Sequence, residues 1–231
     1  MADGGNTSQD GRTSLKRIAI LGAGGQAREV AWIIRDINRE RPTYDFLGYI
    51  VADVNTLGVN DSQEYVLGDE SWLIANPNKV DCLAIGIGSP EIRSRIGNRL
   101  SMEFPALEWP ALIHPRSIVD RETCHIGPGV LICAGATCTT NIRFEPFALI
   151  NFGCTVGHDV NIGKGCVVNP GANISGGVVL EECVLVGTGA QVLQYLRIGK
   201  GARVGAGAVV IGDVGPGSTV VGVPAKPISR T

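Results

Sequence analysis

The second half of the sequence repeats with a period of six residues. Between Ile118 and Val214 the chain divides into sixteen hexads, interrupted only by Cys124 after the first hexad. The second position is apolar in all of them, and the sixth is apolar in all but the first, where Thr123 stands. Such a period indicates stacked units, because a unit this short can bury its apolar residues only against its neighbours.

Each hexad matches a short strand followed by a turn. The chain has 32 glycines and only 5% aromatic residues, which suits tight, frequent turns around a thin core. Three hexads close one triangular coil, and coils stack by strand pairing at about 4.8 Å. With the apolar second position inside the prism, the unbroken hexads from residue 125 onward predict a parallel β-helix of five coils.

The residues before about 110 follow a different pattern. "RIAILGAGG" (17–25) predicts a buried strand that runs into a glycine turn, and residues 26–40 place apolar side chains on one helical face. Residues 45–53 and 81–88 predict two further strands, and 90–100 another helix. Strands alternating with helices indicate a small Rossmann-like α/β domain with a parallel sheet.

This change of pattern divides the chain into segments. We expect a flexible tail at 1–15, an α/β domain at 16–110 and a β-helix domain at 111–231. The opening residues contain no apolar segment typical of a signal peptide, and the seven cysteines include no C-x-x-C pair, so we expect reduced core cysteines and a cytoplasmic protein. A net charge of -2 provides no basic surface for nucleic acid or anionic membranes.

The glycine turn "GAGGQA" (22–27) is a candidate binding loop. A glycine turn between a strand and a helix exposes backbone N–H groups and the positive end of the helix, and both attract phosphate. No acid follows about 20 residues later, so a nicotinamide dinucleotide is disfavoured. Another phosphate-bearing ligand and a purely structural turn both remain open on the residues alone.

His158 is one of three histidines and is followed directly by Asp159. It is the fourth residue of its hexad, so it lies at a turn, one coil away from Thr140 and from Gly176. On the residues alone this is either a solvated loop histidine or a catalytic base. His114 and His125 are interpreted as solvated histidines.

Several motifs occur in a characteristic order: "GAGGQAREV" (22–30), "LIHPRSIV" (112–119), the hexads, "VGHDVNIG" (156–163) and "VVGVPAKP" (220–227). With them the chain resembles, from about residue 16 to 228, the hexapeptide-repeat sugar acyltransferases of the sialic-acid and bacillosamine type. The resemblance implies a left-handed β-helix, a homotrimer and a role in polysaccharide biosynthesis. It implies acetyl-CoA-dependent N-acetylation of a nucleotide-linked amino-deoxysugar, without a metal ion.

The resemblance also assigns roles to individual residues. His158 would be the general base, since histidine side chains in general are largely neutral at pH 7 and accept protons, and Asp159 would orient its ring. The backbone N–H of Gly176 is our candidate for stabilising the oxyanion. The residues expected to contact CoA are Val167, Gly176, Thr188, Ala206 and Lys226. The residues expected to contact the nucleotide sugar are Gly24, Gly25, Gln26, Asp53 and Asn151.

Two positions depart from the pattern of these relatives. A second histidine often stands nine residues after the base, where this chain has Val167. Consecutive acids often follow the second strand, where this chain has only Asp53. Asp53 therefore either makes the nucleotide contact alone or indicates a nucleotide other than the uridine type.

Three alternatives are weighed against N-acetylation. The first is O-acetylation of a sugar hydroxyl, as in sialic-acid acetylation, which the glycine loop slightly disfavours. The second is a non-catalytic hexapeptide-repeat scaffold. The third is a β-helix that binds CO2 or a metal ion like a carbonic anhydrase, which would need three converging histidines. His114 and His125 lie near the start of the predicted β-helix, away from His158.

Overall fold

The structure is a computed structural model that describes residues 14–61 and 63–228. Most of the tail expected at 1–15 therefore lies outside the described residues. The elements of the N-terminal part are β1 Lys16–Leu21, α1 Gly25–Glu40, β2 Tyr44–Ile50, β3 Val66–Gly68, α2 Glu70–Ala75, β4 Cys82–Ile85 and α3 Pro90–Glu103. Its four strands form a parallel sheet with the order β3-β2-β1-β4.

The predicted elements of this part are confirmed, with the second strand ending at Ile50 and the later one at Ile85. Helix α1 buries the apolar face that its sequence predicts, with Val30, Ile33 and Ile34 inaccessible to solvent. The short strand β3 and helix α2 carry too few apolar residues for a periodic signal and were not expected from the sequence. Three single 3-10 turns complete this part, at Val54–Thr56, Gln63–Tyr65 and Pro77–Lys79.

The hexads form a parallel β-helix in which each strand holds the first two positions of one hexad. The first coil begins one hexad earlier than the sequence pattern does, with β5 Leu112–Ile113. The following strands are β6 Ile118–Val119, β7 His125–Ile126, β8 Leu131–Ile132, β9 Thr137–Cys138, β10 Arg143–Phe144, β11 Leu149–Ile150, β12 Thr155–Val156, β13 Asn161–Ile162, β14 Val167–Val168, β15 Asn173–Ile174, β16 Val179–Leu180, β17 Leu185–Val186, β18 Gln191–Val192, β19 Arg197–Ile198, β20 Arg203–Val204, β21 Val209–Val210, β22 Thr219–Val221 and β23 Lys226–Ile228.

The strands make three sheets, which we number as faces of the prism. Face 1 contains β5, β8, β11, β14, β17, β20 and β22, with β23 added antiparallel at its end. Face 2 contains β6, β9, β12, β15, β18 and β21, and face 3 contains β7, β10, β13, β16 and β19. Every third strand pairs in register, so that Thr155 lies opposite Asn173 and Val156 opposite Ile174. Equivalent residues of successive coils therefore stack in columns.

The interior of the prism follows the predicted pattern. The second and sixth positions of the hexads form one continuous buried cluster, in which Phe144 is the largest side chain. Cysteines 138, 154 and 166 belong to this cluster, and all seven cysteines are free. Burial raises the pKa of the Cys154 thiol to about 11, so it packs as a small apolar residue.

The N-terminal part docks on face 1 of the β-helix. The outward side chains of Leu112, Leu131, Leu149 and Val167 share one buried cluster with the apolar residues of α1. From α3, the completely buried Arg93 donates hydrogen bonds to the carbonyl oxygens of Ile87 and Phe147, both at 2.7 Å. The N-terminal part thus covers the first four strands of face 1, which are β5, β8, β11 and β14.

His114 belongs to this contact between the two parts, and its interpretation as a solvated histidine is wrong. It is 1% exposed, its Nε2 lies 3.0 Å from Asp36 Oδ2 in α1, and its ring packs edge-on against Trp32. The Arg116 N–H donates to its Nδ1 at 3.0 Å, which leaves Nε2 to donate to the carboxylate. His125 is exposed, as expected.

Candidate active site

His158 lies at the corner where face 2 turns into face 3, which we call the His158 corner. Its columns contain the fourth and fifth hexad residues of successive coils: Thr140, His158, Gly176 and Gln194 in one, and Asn141, Asp159, Gly177 and Tyr195 in the other. These residues are turn residues, so their side chains are not needed to fill the prism. Functional side chains can therefore lie at this corner without any loss of packing in the core.

His158 and Asp159 form a hydrogen-bonded pair. His158 Nδ1 lies 2.8 Å from Asp159 Oδ2, and Asn141 Nδ2 donates to the other carboxylate oxygen at 3.2 Å. The hydrogen bond from His158, and then that from Asn141, lower the pKa of the Asp159 carboxyl. Because an ionised carboxylate only accepts hydrogen bonds, the tautomer of the neutral ring that fits this contact carries its proton on Nδ1 and leaves a lone pair on Nε2.

The backbone holds this pair in position. Asp159 has a φ of 60°, in the left-handed region that asparagine and aspartate tolerate better than most residues. Its N–H donates to the Thr140 carbonyl at 3.1 Å, and the His158 carbonyl accepts from the Gly177 N–H at 2.8 Å. The two side chains are about half exposed, at 55% and 56%, so the pair is open to a ligand.

The free Nε2 of His158 lies directly over Gly176. A Cβ atom at Gly176 would lie 2.6 Å from Nε2, closer than any real contact, so only glycine fits beneath the ring. Within the described residues the Gly176 N–H has no hydrogen-bond partner, whereas its carbonyl accepts from the Tyr195 N–H at 2.9 Å. A lone pair that can accept a proton and an unpaired N–H donor therefore lie side by side.

A second candidate site lies at the carboxyl ends of the N-terminal strands. In the order β3-β2-β1-β4, the chain leaves β1 toward β2 on one side, while β4 pairs on the other, which makes the β1–β4 gap a topological switch point. A cavity of about 490 Å³ opens at this edge. It is lined by Leu21, Gly22, Ala23, Ile50, Val51, Ala52, Asp53, Leu57, Asp61, Glu70, Ile87, Arg95, Ile96, Arg99 and Leu100.

The glycine loop borders this cavity with open backbone. Gly22 needs its glycine, because its φ is 97° and a Cβ would lie 3.1 Å from the Gly86 carbonyl oxygen. Gly24 caps α1 without a side-chain hydrogen bond, and a Cβ at Gly24 or Gly25 would meet nothing closer than 3.9 Å. The Nε2 atom of Gln26 is buried without a partner. The loop thus leaves room for a ligand at the start of α1.

The cavity also contains charged residues that the sequence patterns did not single out. Arg99 makes two hydrogen bonds to Glu70, and Arg28 pairs with Asp61. Arg95 is exposed and has no ionic partner among the described residues. Arg95 and Arg99 stand four residues apart on α3, so their shared helical face was a signal available in the sequence. Asp53 also lines the cavity and accepts a hydrogen bond from the Asn55 N–H at 2.8 Å, and its contact with a nucleotide stays a prediction.

The remaining predicted residues lie elsewhere. Thr188 and Ala206 are exposed at the corner between faces 1 and 2, and Lys226 is exposed on β23. Val167 is 1% exposed in the cluster under α1, and Asn151 is 4% exposed with its amide 3.4 Å from Asn169 Oδ1. Neither of these two side chains is open to a ligand in one protomer, and their assignments stay predictions.

Neither a metal site nor a membrane span stands out in residues 14–61 and 63–228. These residues contain no group of three or more histidine, cysteine, aspartate or glutamate side chains that could hold a metal ion. They also form no helix with the length and apolar character to cross a bilayer.

Comparisons with known proteins find relatives for both parts of the chain. Residues 17–100 match the PglD N-terminal domain family. Among solved structures, PerB from Caulobacter crescentus in complex with CoA and GDP-perosamine is 28% identical with a TM-score of 0.82, covering 94% of this chain and 99% of that one. Comparison with curated proteins gives no match.

Two further solved structures span almost the whole chain. The acetyltransferase domain of PglB from Neisseria gonorrhoeae is 30% identical with a TM-score of 0.80, covering 92% of this chain and 100% of that one. WeeI from Acinetobacter baumannii is 28% identical with a TM-score of 0.78, with the same coverage. These matches confirm the predicted fold class, an N-terminal parallel α/β sheet followed by a left-handed parallel β-helix.

The contact between His158 and Gly176 leads to a first prediction. Gly176→Ala should push the His158 ring away from the corner and break its hydrogen bond to Asp159, because the new Cβ would occupy the position beside Nε2. A crystal structure of the variant and the ¹⁵N chemical shifts of the ring would show both changes. The matched control is Gly212→Ala, at the same turn position two coils later, where a Cβ meets nothing within 4 Å. An unmoved ring in Gly176→Ala would contradict the prediction.

Proposed function

Because the chain belongs to the hexapeptide-repeat sugar N-acetyltransferases with a PglD-type N-terminal domain, we propose that it transfers the acetyl group of acetyl-CoA to the amino group of a nucleotide-linked amino-deoxysugar. The observation that carries the proposal is the His158–Asp159 pair, whose free Nε2 lies over the unpaired N–H of Gly176. As a member of this family the chain is an enzyme, and the non-catalytic scaffold is not retained.

The relatives support the choice of substrates. PerB is described with CoA and GDP-perosamine, and the PglB domain is also described in complex with acetyl coenzyme A. Two further structures of the Caulobacter enzyme, named as a perosamine N-acetyltransferase, carry a histidine replaced by asparagine or alanine, in complex with the same two ligands. These descriptions favour an amine over a hydroxyl as the acceptor and make a histidine the residue of interest.

The geometry supports general-base catalysis by His158. Its Nε2 accepts a proton from the neutral sugar amine as the amine nitrogen attacks the thioester carbonyl carbon. The Gly176 N–H donates to the oxygen that becomes negative, and Asp159 stabilises the imidazolium. His158 then returns the proton to the sulfur as the C–S bond breaks, so that an amide and free CoA are formed. Thr188, Ala206 and Lys226 are proposed to bind CoA further along the β-helix.

The N-terminal cavity is proposed to hold the nucleotide part of the acceptor. A diphosphate at the glycine loop would meet the N–H groups at the start of α1 and the positive end of that helix. The unpaired Arg95 adds a cation within the same cavity, and Asp53 offers a polar contact there. Gln26 does not line the cavity, but it follows the glycine loop directly, and its buried Nε2 has no partner. This assigns acceptor binding to residues 16–110 and acyl transfer to residues 111–231.

One protomer holds its two sites on opposite sides. The N-terminal part covers face 1, whereas the His158 corner joins faces 2 and 3 and is therefore the corner opposite face 1 of the triangular coil. A nucleotide sugar bound in the cavity would thus approach the His158 of a neighbouring copy. We propose a homotrimer in which each active site combines the N-terminal part and face 1 of one copy with the His158 corner of the next. Free cysteines support the expected cytoplasmic location, which stays a prediction.

The second prediction tests the reaction and the base together. Incubation with acetyl-CoA and a panel of UDP-, GDP- and dTDP-linked amino sugars should yield one product heavier by a single acetyl group in mass spectrometry. His158→Ala should lower kcat by about 10²–10⁴-fold, because the amine then loses its positioned proton acceptor, and Asp159→Asn should cost less. More than half of the wild-type kcat in a folded His158→Ala variant would show that the base lies elsewhere.

The third prediction concerns the glycine loop. Gly25→Val should raise KM for the nucleotide sugar and leave KM for acetyl-CoA unchanged, because the added side chain would obstruct the start of α1. The variant should fold, since a Cβ at this position meets only Arg28 Nη2, at 3.9 Å. Steady-state kinetics and a melting curve measure both effects. An unchanged KM for the nucleotide sugar in the folded variant would place acceptor binding outside this loop.

The fourth prediction is that the active site is shared between copies. His158→Ala and Gly25→Val subunits, each nearly inactive at low acceptor concentration, should regain about one quarter of wild-type activity when co-expressed in equal amounts, because one site in four combines the two intact halves. Sedimentation velocity should show a trimer for each variant. Mixed trimers without recovered activity would contradict a shared site, and a stable monomer would contradict the trimer itself.

A further inference from the structure

The turn of the hexad 173–178 contains two adjacent glycines, and at each of them a different aromatic ring leaves no room for a side chain. Gly176 lies beneath the His158 ring. Gly177 has a φ of 69°, but this backbone alone does not require glycine, because Asn141, Asp159 and Cys183 adopt it too. A Cβ at Gly177 would lie 2.6 Å from Tyr195 Cε1, so the ring of Tyr195 requires the glycine.

Folding does not account for the position of Tyr195. Its side chain is 73% exposed, so it buries little apolar surface. Its φ of 59° is unfavourable for an aromatic residue, and glycine stands at the same hexad position in many other coils, as at Gly189, Gly201 and Gly207. An exposed ring held in a costly backbone conformation beside a candidate active site is typical of a functional residue.

The two rings flank the glycine turn from opposite sides. His158 reaches Gly176 from the preceding coil, and Tyr195 covers Gly177 from the following coil, with its N–H bonded to the Gly176 carbonyl. Among the aromatic contacts of the described residues, none joins the rings of His158 and Tyr195. The glycine turn is thus flanked by the His158 ring at Gly176 and by the Tyr195 ring at Gly177, and the N–H of Gly176 has no partner among the described residues.

We propose that Tyr195 forms the wall of the acyl site and limits the acyl group to a short chain. The inference rests on the proposed function, in which the Gly176 N–H binds the thioester oxygen and His158 faces the carbonyl carbon. The alkyl group on that carbon then lies over Gly177, next to the Tyr195 ring. A methyl group fits in the remaining space, whereas a longer chain meets the ring.

The test measures binding of acyl-CoA without an acceptor, so it does not depend on knowing the sugar. Calorimetry on the intact protein should show that acetyl-CoA binds at least about tenfold more tightly than butyryl-CoA, the lower end of the effect of added methylenes in a fitted pocket. In Tyr195→Gly, where the left-handed backbone suits glycine, the two dissociation constants should come within about threefold of each other. Tyr195→Phe keeps the ring and should keep the wild-type preference.

The matched control is Cys183→Gly, which changes a residue at the same hexad position and in the same backbone conformation at another corner. It should keep the wild-type preference, and melting curves should show that both glycine variants fold. A tenfold preference retained by Tyr195→Gly, or equal binding of both thioesters to the wild type, would overturn the inference and leave the proposed function intact. Failure of the wild type to bind either thioester would overturn both.

Discussion

Parallel pairing between strands one coil apart is the interaction on which the rest of the structure depends. It pairs each strand residue with the equivalent residue of the next coil, as Thr155 pairs with Asn173. Equivalent turn residues are stacked in columns as a result. A side chain at a corner can therefore reach the residue one coil above or below it. His158 lies over Gly176, and Asn141 bonds to Asp159, for this reason. The geometry of the candidate active site therefore follows from the pairing of strands between coils.

Close approach between coils explains which glycines the site needs. At Gly176 the backbone is ordinary, and the His158 ring excludes a side chain. At Gly177 the backbone is left-handed, but Tyr195 rather than the dihedral angle excludes one. The same two contacts leave the turn bare between a basic nitrogen and an aromatic wall. The glycine pair is therefore part of the chemistry that we propose and is not only a means of turning the chain.

The contact between the N-terminal part and the β-helix determines where the N-terminal cavity lies relative to the His158 corner. Arg93 and His114 fasten α3 and α1 to the β-helix with buried hydrogen bonds, and burial lowers the pKa of the Arg93 guanidinium to about 10. The N-terminal part is thereby held on face 1, opposite the His158 corner. Since the proposed acceptor cavity and the proposed base lie on opposite sides of one copy, the arrangement favours the proposal that neighbouring copies share each active site.

The sequence by itself determined the β-helix, the Rossmann-like sheet and the position of His158 on a turn. The reason is that a six-residue period and a strand–helix alternation are local patterns, and each leaves one way to bury its apolar residues. The pairing of His158 with Asp159 was expected from the family resemblance, which assigns Asp159 to orient the ring. The glycine loop was recognised from the same kind of local signal.

Only the tertiary structure decided which outward side chains are covered. Val167 and His114 occupy positions that a lone β-helix would expose, and they are buried because α1 docks on face 1. The roles proposed for Arg95 and Tyr195 depend on the tertiary structure in the same way. The cavity around Arg95 and the contact of Tyr195 with the glycine turn form only when segments distant in sequence pack together. Contacts of this kind depend on how surfaces pack, and no periodic pattern within one segment encodes them.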